Sequence, residues 1–306
     1  MLSDTTISTV KSTVPLLEEH GLAITQRFYE RLFEATPDLK HIFNQANQRD
    51  ASQSRALADA VVAYASNIDN LEALVPAVQR IANKHASIGV QSHHYPLVGA
   101  SLLQAIQEVL SLPDGHAALV AWGEAYGLLA DIFVQTESKL YSDSAANDGG
   151  WEGFRAFKIT NIQRETPEVK SFTVKATDGL PATGYAAGQY VAVKLLGKDE
   201  KFDQIRQYSL STWGRGSQAS YRITVKCESP GHVSEGLHKY IVGDELLLSA
   251  PYGEFTLNKK ASKQVFISGG VGITPLFSML RESIDAGAGQ EQLCFIECCR
   301  GDEHRI

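Results

Sequence analysis

The pattern of apolar and polar positions divides the chain into stretches of different period. Over residues 3–141 the period is helical. Ile7, Val10, Val14 and Leu17 mark a first amphipathic helix, and Ile24, Phe28 and Leu32 mark the next. Pro37 stops that helix, because proline disfavours helical geometry in the residue before it. Further stripes run through Leu57, Val61, Tyr64 and Ile68, and through Leu71, Leu74, Val78 and Ile81. Two long ones follow, through Val98, Leu102, Ile106 and Val109, and through Leu119, Trp122, Tyr126, Leu129 and Phe133. An all-α domain over residues 1–141 is the expectation.

Residues 142–150 are small and polar and end in Gly149-Gly150, so 142–153 read as a linker. Strand patterns then occupy 154–162, 169–175, 190–195, 204–210 and 221–227, punctuated by Gly, Pro and Asp. They predict an antiparallel β-barrel over 154–261. From Gln264 an apolar strand, a glycine loop, a helix and a second apolar strand predict the opening of a parallel α/β sheet over 262–306. The expected fold class is therefore multi-domain: all-α, then antiparallel β, then α/β. One strand–helix–strand cannot cover both faces of a parallel sheet, so this last part is expected to be incomplete, as in a chain cut short at its C-terminal side.

Composition narrows the classes. An apolar fraction of 43% and a charged fraction of 21% describe a globular protein. A net charge of -7 argues against a nucleic-acid partner, which calls for a basic stripe. No charged start and apolar run suggests a signal peptide. The most apolar stretch, 117–133, is interrupted by Glu124 and Asp131, and no membrane span is expected. Cys227, Cys294, Cys298 and Cys299 have neither disulfide nor metal spacing, which fits a reducing, cytoplasmic location. Cys298 and Cys299 read as core fillers on opposite faces of a strand.

The informative residues of the helical part are polar ones on inward stripes. His85 follows Ile81 by one turn, Gln53 precedes Leu57 by one turn and Glu137 follows Phe133 by one turn. Tyr95 opens its helix on the face of Val98 and Leu102, and Tyr29 adjoins Phe28. Singly, each has an ordinary explanation, such as a hydrogen-bonded core histidine or a glutamate reaching water from a helix end. Five on five helices call for a common one, because unpaired buried polar groups are costly. A haem pocket supplies it.

Residues 1–141 resemble the globins of the flavohaemoglobin family. The stretch Pro37-Asp38-Leu39-Lys40-His41-Ile42-Phe43 resembles the family's bend, which implies that Phe43 packs on the porphyrin. The resemblance makes His85, in Ala82-Asn83-Lys84-His85, the proximal ligand of haem b. It makes Tyr29 and Gln53 the distal pair around dioxygen, and Leu57 their apolar neighbour. Tyr95 and Glu137 match a proximal pair that oxygen-storage globins lack. A histidine donating its second N–H to a carboxylate is the stronger electron donor to iron. Lys84 is a candidate for a haem propionate and equally a solvated lysine.

In the second part, Arg206-Gln207-Tyr208-Ser209 resembles the flavin motif of the ferredoxin-reductase barrel. The resemblance gives Tyr208 the isoalloxazine face, Ser209 its reactive nitrogen and Arg206 the pyrophosphate of FAD. Gly188-Gln189-Tyr190 lies upstream at the family's spacing. Gly231-His232-Val233-Ser234 precedes a helical run through Leu237, Tyr240 and Ile241, and the family's second glycine is replaced by Pro230. Pro251-Tyr252-Gly253-Glu254-Phe255 resembles the turn that closes the barrel, or is a plain tight turn. Gly269-Gly270-Val271-Gly272-Ile273-Thr274-Pro275, between strand and helix, resembles the nicotinamide loop, which implies NAD(P)H.

The resemblance implies nitric oxide dioxygenation. Hydride would pass from nicotinamide to flavin and single electrons to haem, where dioxygen and nitric oxide become nitrate. The chain would be a monomer or weak homodimer. Two other classes stay open: an oxygen or nitric oxide binding or sensing protein with a crippled reductase, and a reductase or oxidase that passes electrons to oxygen or external acceptors.

Overall fold

The computed structural model describes residues 2–43, 51–197, 202–214 and 218–306. Helix α1 (Asp4–Ser12) is capped by Ser3, whose hydroxyl accepts the Thr6 N–H at 3.1 Å. The break before α2 (Val14–Ala35) falls at Thr13, not after Leu17 as the apolar stripe suggests. Pro15 is the reason: without an N–H it suits the first turn of a new helix and not the interior of an old one. Thr13 turns the corner, donating to Val10 O at 2.6 Å and accepting from Trp122 Nε1 at 3.1 Å.

A short 3₁₀ turn (Pro37–His41), helix α3 (Ser52–Ser66) and a second 3₁₀ turn (Leu71–Leu74) come next. They are followed by α4 (Val75–Ile88), α5 (His94–Val109) and α6 (Ala117–Ala146). The stripe expected as one helix from Leu71 is thus split, and Pro76 sits in the first turn of the new helix, as Pro15 does in α2. Helix α6 runs to Ala146, into the stretch read as a linker, because Ser144 is buried and donates to Trp151 O at 3.2 Å.

Packing gathers the chain into two units. One holds the residues up to Ala82 together with Val90–Lys139; the other holds Asn83–Gly89 and Leu140–Ile306. In the first, Leu17, Ile24, Phe28, Leu32, Tyr64, Ile106 and Trp122 share one core. Gly21 brings α2 close to α3: a Cβ there would lie 3.3 Å from Ala58 Cβ. By length and composition α6 is long and apolar enough to cross a membrane, although Glu124 and Asp131 interrupt it. It serves instead as a core helix, with Ala121, Trp122 and Ala125 buried in the core and Glu124 accepting from Thr6 Oγ1 at 2.5 Å.

In the second unit six strands pair antiparallel among the described residues: β1 (Phe154–Arg164), β2 (Val169–Ala176), β3 (Tyr190–Leu195), β4 (Gln204–Ser209), β5 (Tyr221–Lys226) and β6 (Glu245–Ser249). Their order is β4-β3-β6-β1-β2-β5. A bridge between Leu210 and Ile223 joins the two edges, so the sheet closes on a core that includes Phe157, Phe172, Tyr221 and Leu248. Helix α7 (His232–His238) is shorter than expected. Tyr240 and Ile241 lie beyond it, in a turn where Asp244 Oδ2 accepts the Ile241 N–H at 2.8 Å.

The last part is β7 (Gln264–Gly269), α8 (Ile273–Asp285) and β8 (Leu293–Cys298), with the two strands parallel. Phe266, Met279 and Phe295 pack between the strands and α8. Cys298 and Cys299 are exposed and fill no core. The helix covers one face of the strand pair, Cys298 alternates onto the other, and Cys299 lies past the strand's end.

Gly188 joins this part to the barrel. Its N–H donates to Ser278 Oγ at 3.0 Å; its φ is +102°, and a Cβ would lie 2.1 Å from Phe255 O and 2.4 Å from Met279 Cε. Gly188→Ala is expected to destabilise this unit by about 1–3 kcal/mol. The readout is a lower melting transition by FAD fluorescence, with the haem-band transition unmoved.

Candidate functional site

Tyr29 sits on α2 in a cluster of rings. Its centroid lies 5.8 Å from that of Phe43, edge to face, and 5.9 Å from that of Phe33, stacked. The Tyr29 side chain is buried, while Gln53 and Leu57 on α3 are half-buried. The stripes of α3 and α4 depart from ordinary core behaviour: Leu57, Val61, Val78 and Ile81 are apolar yet only half-buried. An apolar surface left open along two helices is what a flat, apolar cofactor would cover. His85 extends the α4 stripe by one turn and is half-buried; Lys84 beside it is exposed.

Tyr95 and Glu137 come together. The Tyr95 hydroxyl donates to Glu137 Oε1 at 2.6 Å, and Glu137 is 2% exposed. A carboxylate this deep in an apolar helix costs several kcal/mol unless it is hydrogen-bonded, and a phenol donor at this distance is a strong one. Tyr126, which sequence reasoning did not select, fixes the start of α5 by donating to Tyr95 O at 2.7 Å. The signal lay in Gly99: a Cβ there would lie 2.4 Å from the Tyr126 ring, so glycine inside a helix marks the space of an aromatic. Within the helical unit, the buried Tyr95–Glu137 pair, the buried Tyr29 phenol and the open apolar stripes of α3 and α4 fit haem.

The flavin motif lies on β4 and its residues alternate. Arg206 and Tyr208 share one face; Gln207 and Ser209 share the other with Tyr190 of β3, whose partner in register is Ser209. Burial holds the Arg206 guanidinium below its usual pKa. Its hydrogen bond goes to Ile205 O at 2.7 Å, and it pairs with no carboxylate among the described residues. A half-buried cation without an acid suits an anionic ligand such as a pyrophosphate. Burial also pushes the phenols of Tyr190 and Tyr208 up to about 12 each, so both act as neutral donors. The Ser209 hydroxyl is half-buried and has no partner among the described residues. These features fit FAD.

Two expected contacts are otherwise engaged. Val233 is 2% exposed and belongs to the barrel core, and Ser234 Oγ closes its own loop by donating to Glu228 O at 3.2 Å. Gly231 must be glycine, because a Cβ would lie 2.2 Å from Glu228 O. What this turn offers a ligand is backbone.

At the carboxyl ends of β7 and β8 a cleft of about 370 Å³ opens, lined by Thr166, Val169, Gly270, Val271, Cys298 and Arg300 among others. Ligands of parallel sheets bind at this end of the strands. Gly270 has a φ of +49°, and no atom lies within 4 Å of where a Cβ at Gly269, Gly270 or Gly272 would project. Ile273 and Thr274 are buried at the start of α8, with Thr274 Oγ1 donating to Val271 O at 3.1 Å, and Pro275 completes the first turn.

Fold and site define a globin followed by an FAD-binding oxidoreductase module. The Globin family profile matches residues 26–133, and the profile of the oxidoreductase FAD-binding domain matches 156–257. A flavohemoprotein of Bacillus thuringiensis subsp. konkukian is 46% identical over 303 residues, covering 97% of this chain and 74% of its own. One from Bacillus subtilis is 42% identical over 306 residues, covering 99% and 75%. The crystal structure of a Malassezia yamatoensis flavohaemoglobin with bound FAD and haem superposes with a TM-score of 0.90 at 27% identity, covering 99% of this chain and 79% of that one. The chain belongs to the flavohemoprotein family and is a haem- and FAD-dependent oxidoreductase.

Proposed function

We propose that the chain is a nitric oxide dioxygenase, which joins nitric oxide and dioxygen into nitrate with electrons from NAD(P)H. The observation that carries this reading is the buried Glu137 carboxylate held by the Tyr95 hydroxyl at 2.6 Å. A storage globin has no use for such a pair; a globin that activates oxygen does. Bound haem supplies the site for dioxygen and the single-electron chemistry, with FAD as the donor.

The chain's own residues do the rest. His85 would ligate the iron through one ring nitrogen, and Glu137, steadied by Tyr95, would accept a hydrogen bond from the other ring N–H. Phe43 and Leu57 would pack against the macrocycle and keep bulk water out, and Lys84 would be available to a propionate. The Tyr29 hydroxyl and the Gln53 amide would donate hydrogen bonds to a gas ligand that gains negative charge. Tyr190, Gln207, Tyr208 and Ser209 border the flavin, Arg206 meets its pyrophosphate, and Gly231, Val233 and Ser234 offer backbone amides. Gly270, Val271, Gly272, Ile273, Thr274 and Pro275 form the turn that receives the nicotinamide cofactor. The free cysteines suit a reducing, cytoplasmic setting.

Steady-state nitric oxide consumption with NADH and air tests the reading. The dioxygenase turns over many times and needs oxygen. A binding protein consumes nitric oxide stoichiometrically, and a plain reductase oxidises NADH without consuming it.

Glu137→Gln tests the proximal pair. It keeps the size and one acceptor oxygen but deletes the charge, a loss of roughly 1.5–3 kcal/mol for a charge-assisted bond. The iron–histidine stretching frequency of the reduced protein is expected to fall, with haem content unchanged. An unmoved frequency would take Glu137 away from His85.

A further inference from the structure

The turn of α4 that carries His85 is pinned on both sides of the histidine by residues of the flavin-binding sheet. Two residues before it, Asn83 is 7% exposed and its Oδ1 accepts the Gly253 N–H at 2.8 Å. Two residues after it, Ser87 is wholly buried and accepts from Gln207 Nε2 at 3.3 Å. The Ser87 proton goes back to Lys84 O at 2.8 Å, so the hydroxyl is fully used. Between them Ala86 packs with Tyr141, Ala250 and Tyr252. Gly253 is fixed in turn: its φ is +118°, and a Cβ would lie 2.9 Å from the Tyr190 ring.

Neither asparagine nor serine favours a helix interior, and buried polar side chains stay there only when bonded. The partners are specific. Gln207 belongs to the stretch read as the flavin motif, and Tyr190 and Gln207 lie with Ser209 on the face alternate to Arg206 and Tyr208. A group seated on that face competes for, or orders, the Gln207 amide that Ser87 accepts from. The pins straddle His85, so a change in either turns this segment and the imidazole with it.

We propose that Asn83 and Ser87 are positioning residues, through which occupation of the flavin site sets the orientation of His85 and hence the iron–histidine bond. The proposal rests on the reading of His85 as haem ligand and of Tyr190 and Gln207 as the flavin's border. Energetic coupling of this kind is reciprocal, so the state of the ligand also bears on flavin affinity.

Resonance Raman spectra of the reduced full chain, loaded with haem and measured with FAD bound and with FAD stripped, test it. In the parent the iron–histidine frequency is expected to shift when FAD is removed. In Ser87→Ala the shift is expected to vanish, the two spectra coinciding. Asn83→Ala is expected to diminish the shift, and Asn83→Asp, which keeps an acceptor for the Gly253 N–H, to restore it. A merely structural role would lower stability in all variants and leave the FAD-dependent shift intact. A parent frequency indifferent to FAD, or a full shift in Ser87→Ala, overturns the proposal while leaving the ligand assignment standing. An iron–histidine line that survives His85→Ala overturns the ligand assignment itself and the proposal with it.

Discussion

Protein purified as His85→Ala is expected to lack stoichiometric haem. Eight other histidines are present, and several are already committed to local structure. His94 Nδ1 accepts the Gln91 N–H at 3.0 Å, His116 Nδ1 accepts the Ala118 N–H at 3.2 Å, and His238 Nε2 bonds Val225 O at 2.9 Å. His85 alone continues the half-buried apolar stripe of Val78 and Ile81. With FAD supplied in excess, FAD content is expected to stay at the parent level, because the barrel has its own core and coupling through α4 changes affinity, not capacity. The check is the pyridine haemochrome assay beside released-flavin fluorescence. Full haem with an unchanged spectrum would remove His85 from the iron.

The complementary loss is predicted for Arg206→Ala combined with Ser209→Ala. Arg206 is a half-buried cation without an acidic partner among the described residues, and Ser209 a hydroxyl without an acceptor there. Each bond from such a group to a bound cofactor is worth roughly 1.5–3 kcal/mol when an ionised partner is involved, and about half that otherwise. Together they weaken FAD binding by about a hundredfold, at 1.4 kcal/mol per factor of ten. Haem content is expected not to change. Equal FAD affinity in parent and variant by fluorescence titration would place the cofactor elsewhere.

Periodicity made the class of each part legible, and chemistry made the site legible, but each had limits. Strand positions such as 190–195 could be read because Gly and Asp bound them and β-branched residues fill them. Helix ends were harder. The corner at Thr13 and the restart at Val75 follow from Pro15 and Pro76, which an apolar stripe runs across without interruption. The tail of α6 passed for a linker because its serines and alanines are as compatible with a helix as with a loop, and burial of Ser144 decides between them. Cys298 and Cys299 passed for core fillers because a strand pattern does not say which face a neighbouring element covers.

At the site, residue types pointed to a pocket, and motifs pointed to particular cofactors. The Tyr95–Glu137 pair was legible as two polar residues on inward stripes, and its 2.6 Å hydrogen bond needed the packing of α5 and α6. Gln53 was selected from the same inward-polar pattern, and Leu57 from the family resemblance alone. Asn83 and Ser87 were not, because polar residues near a helix end look solvated until a partner on another strand is seen. The alternation of Arg206 and Tyr208 against Gln207 and Ser209 follows from the strand's period of two, and the motif alone does not announce it.

The central claim is that the helical unit performs dioxygenation and does not merely bind gases, and a single turnover tests it most directly. The haem of the loaded chain is reduced chemically, freed of reductant and exposed to air. It is then mixed in a stopped-flow cell with nitric oxide at less than one equivalent per haem, and nitrate is measured in the quench. No nicotinamide is needed, so the result depends on the globin residues alone. Nitrate is expected within the mixing time and in an amount equal to the nitric oxide added, with a large loss in both rate and yield for Tyr29→Phe. Nitric oxide recovered on the haem with no nitrate formed would contradict it.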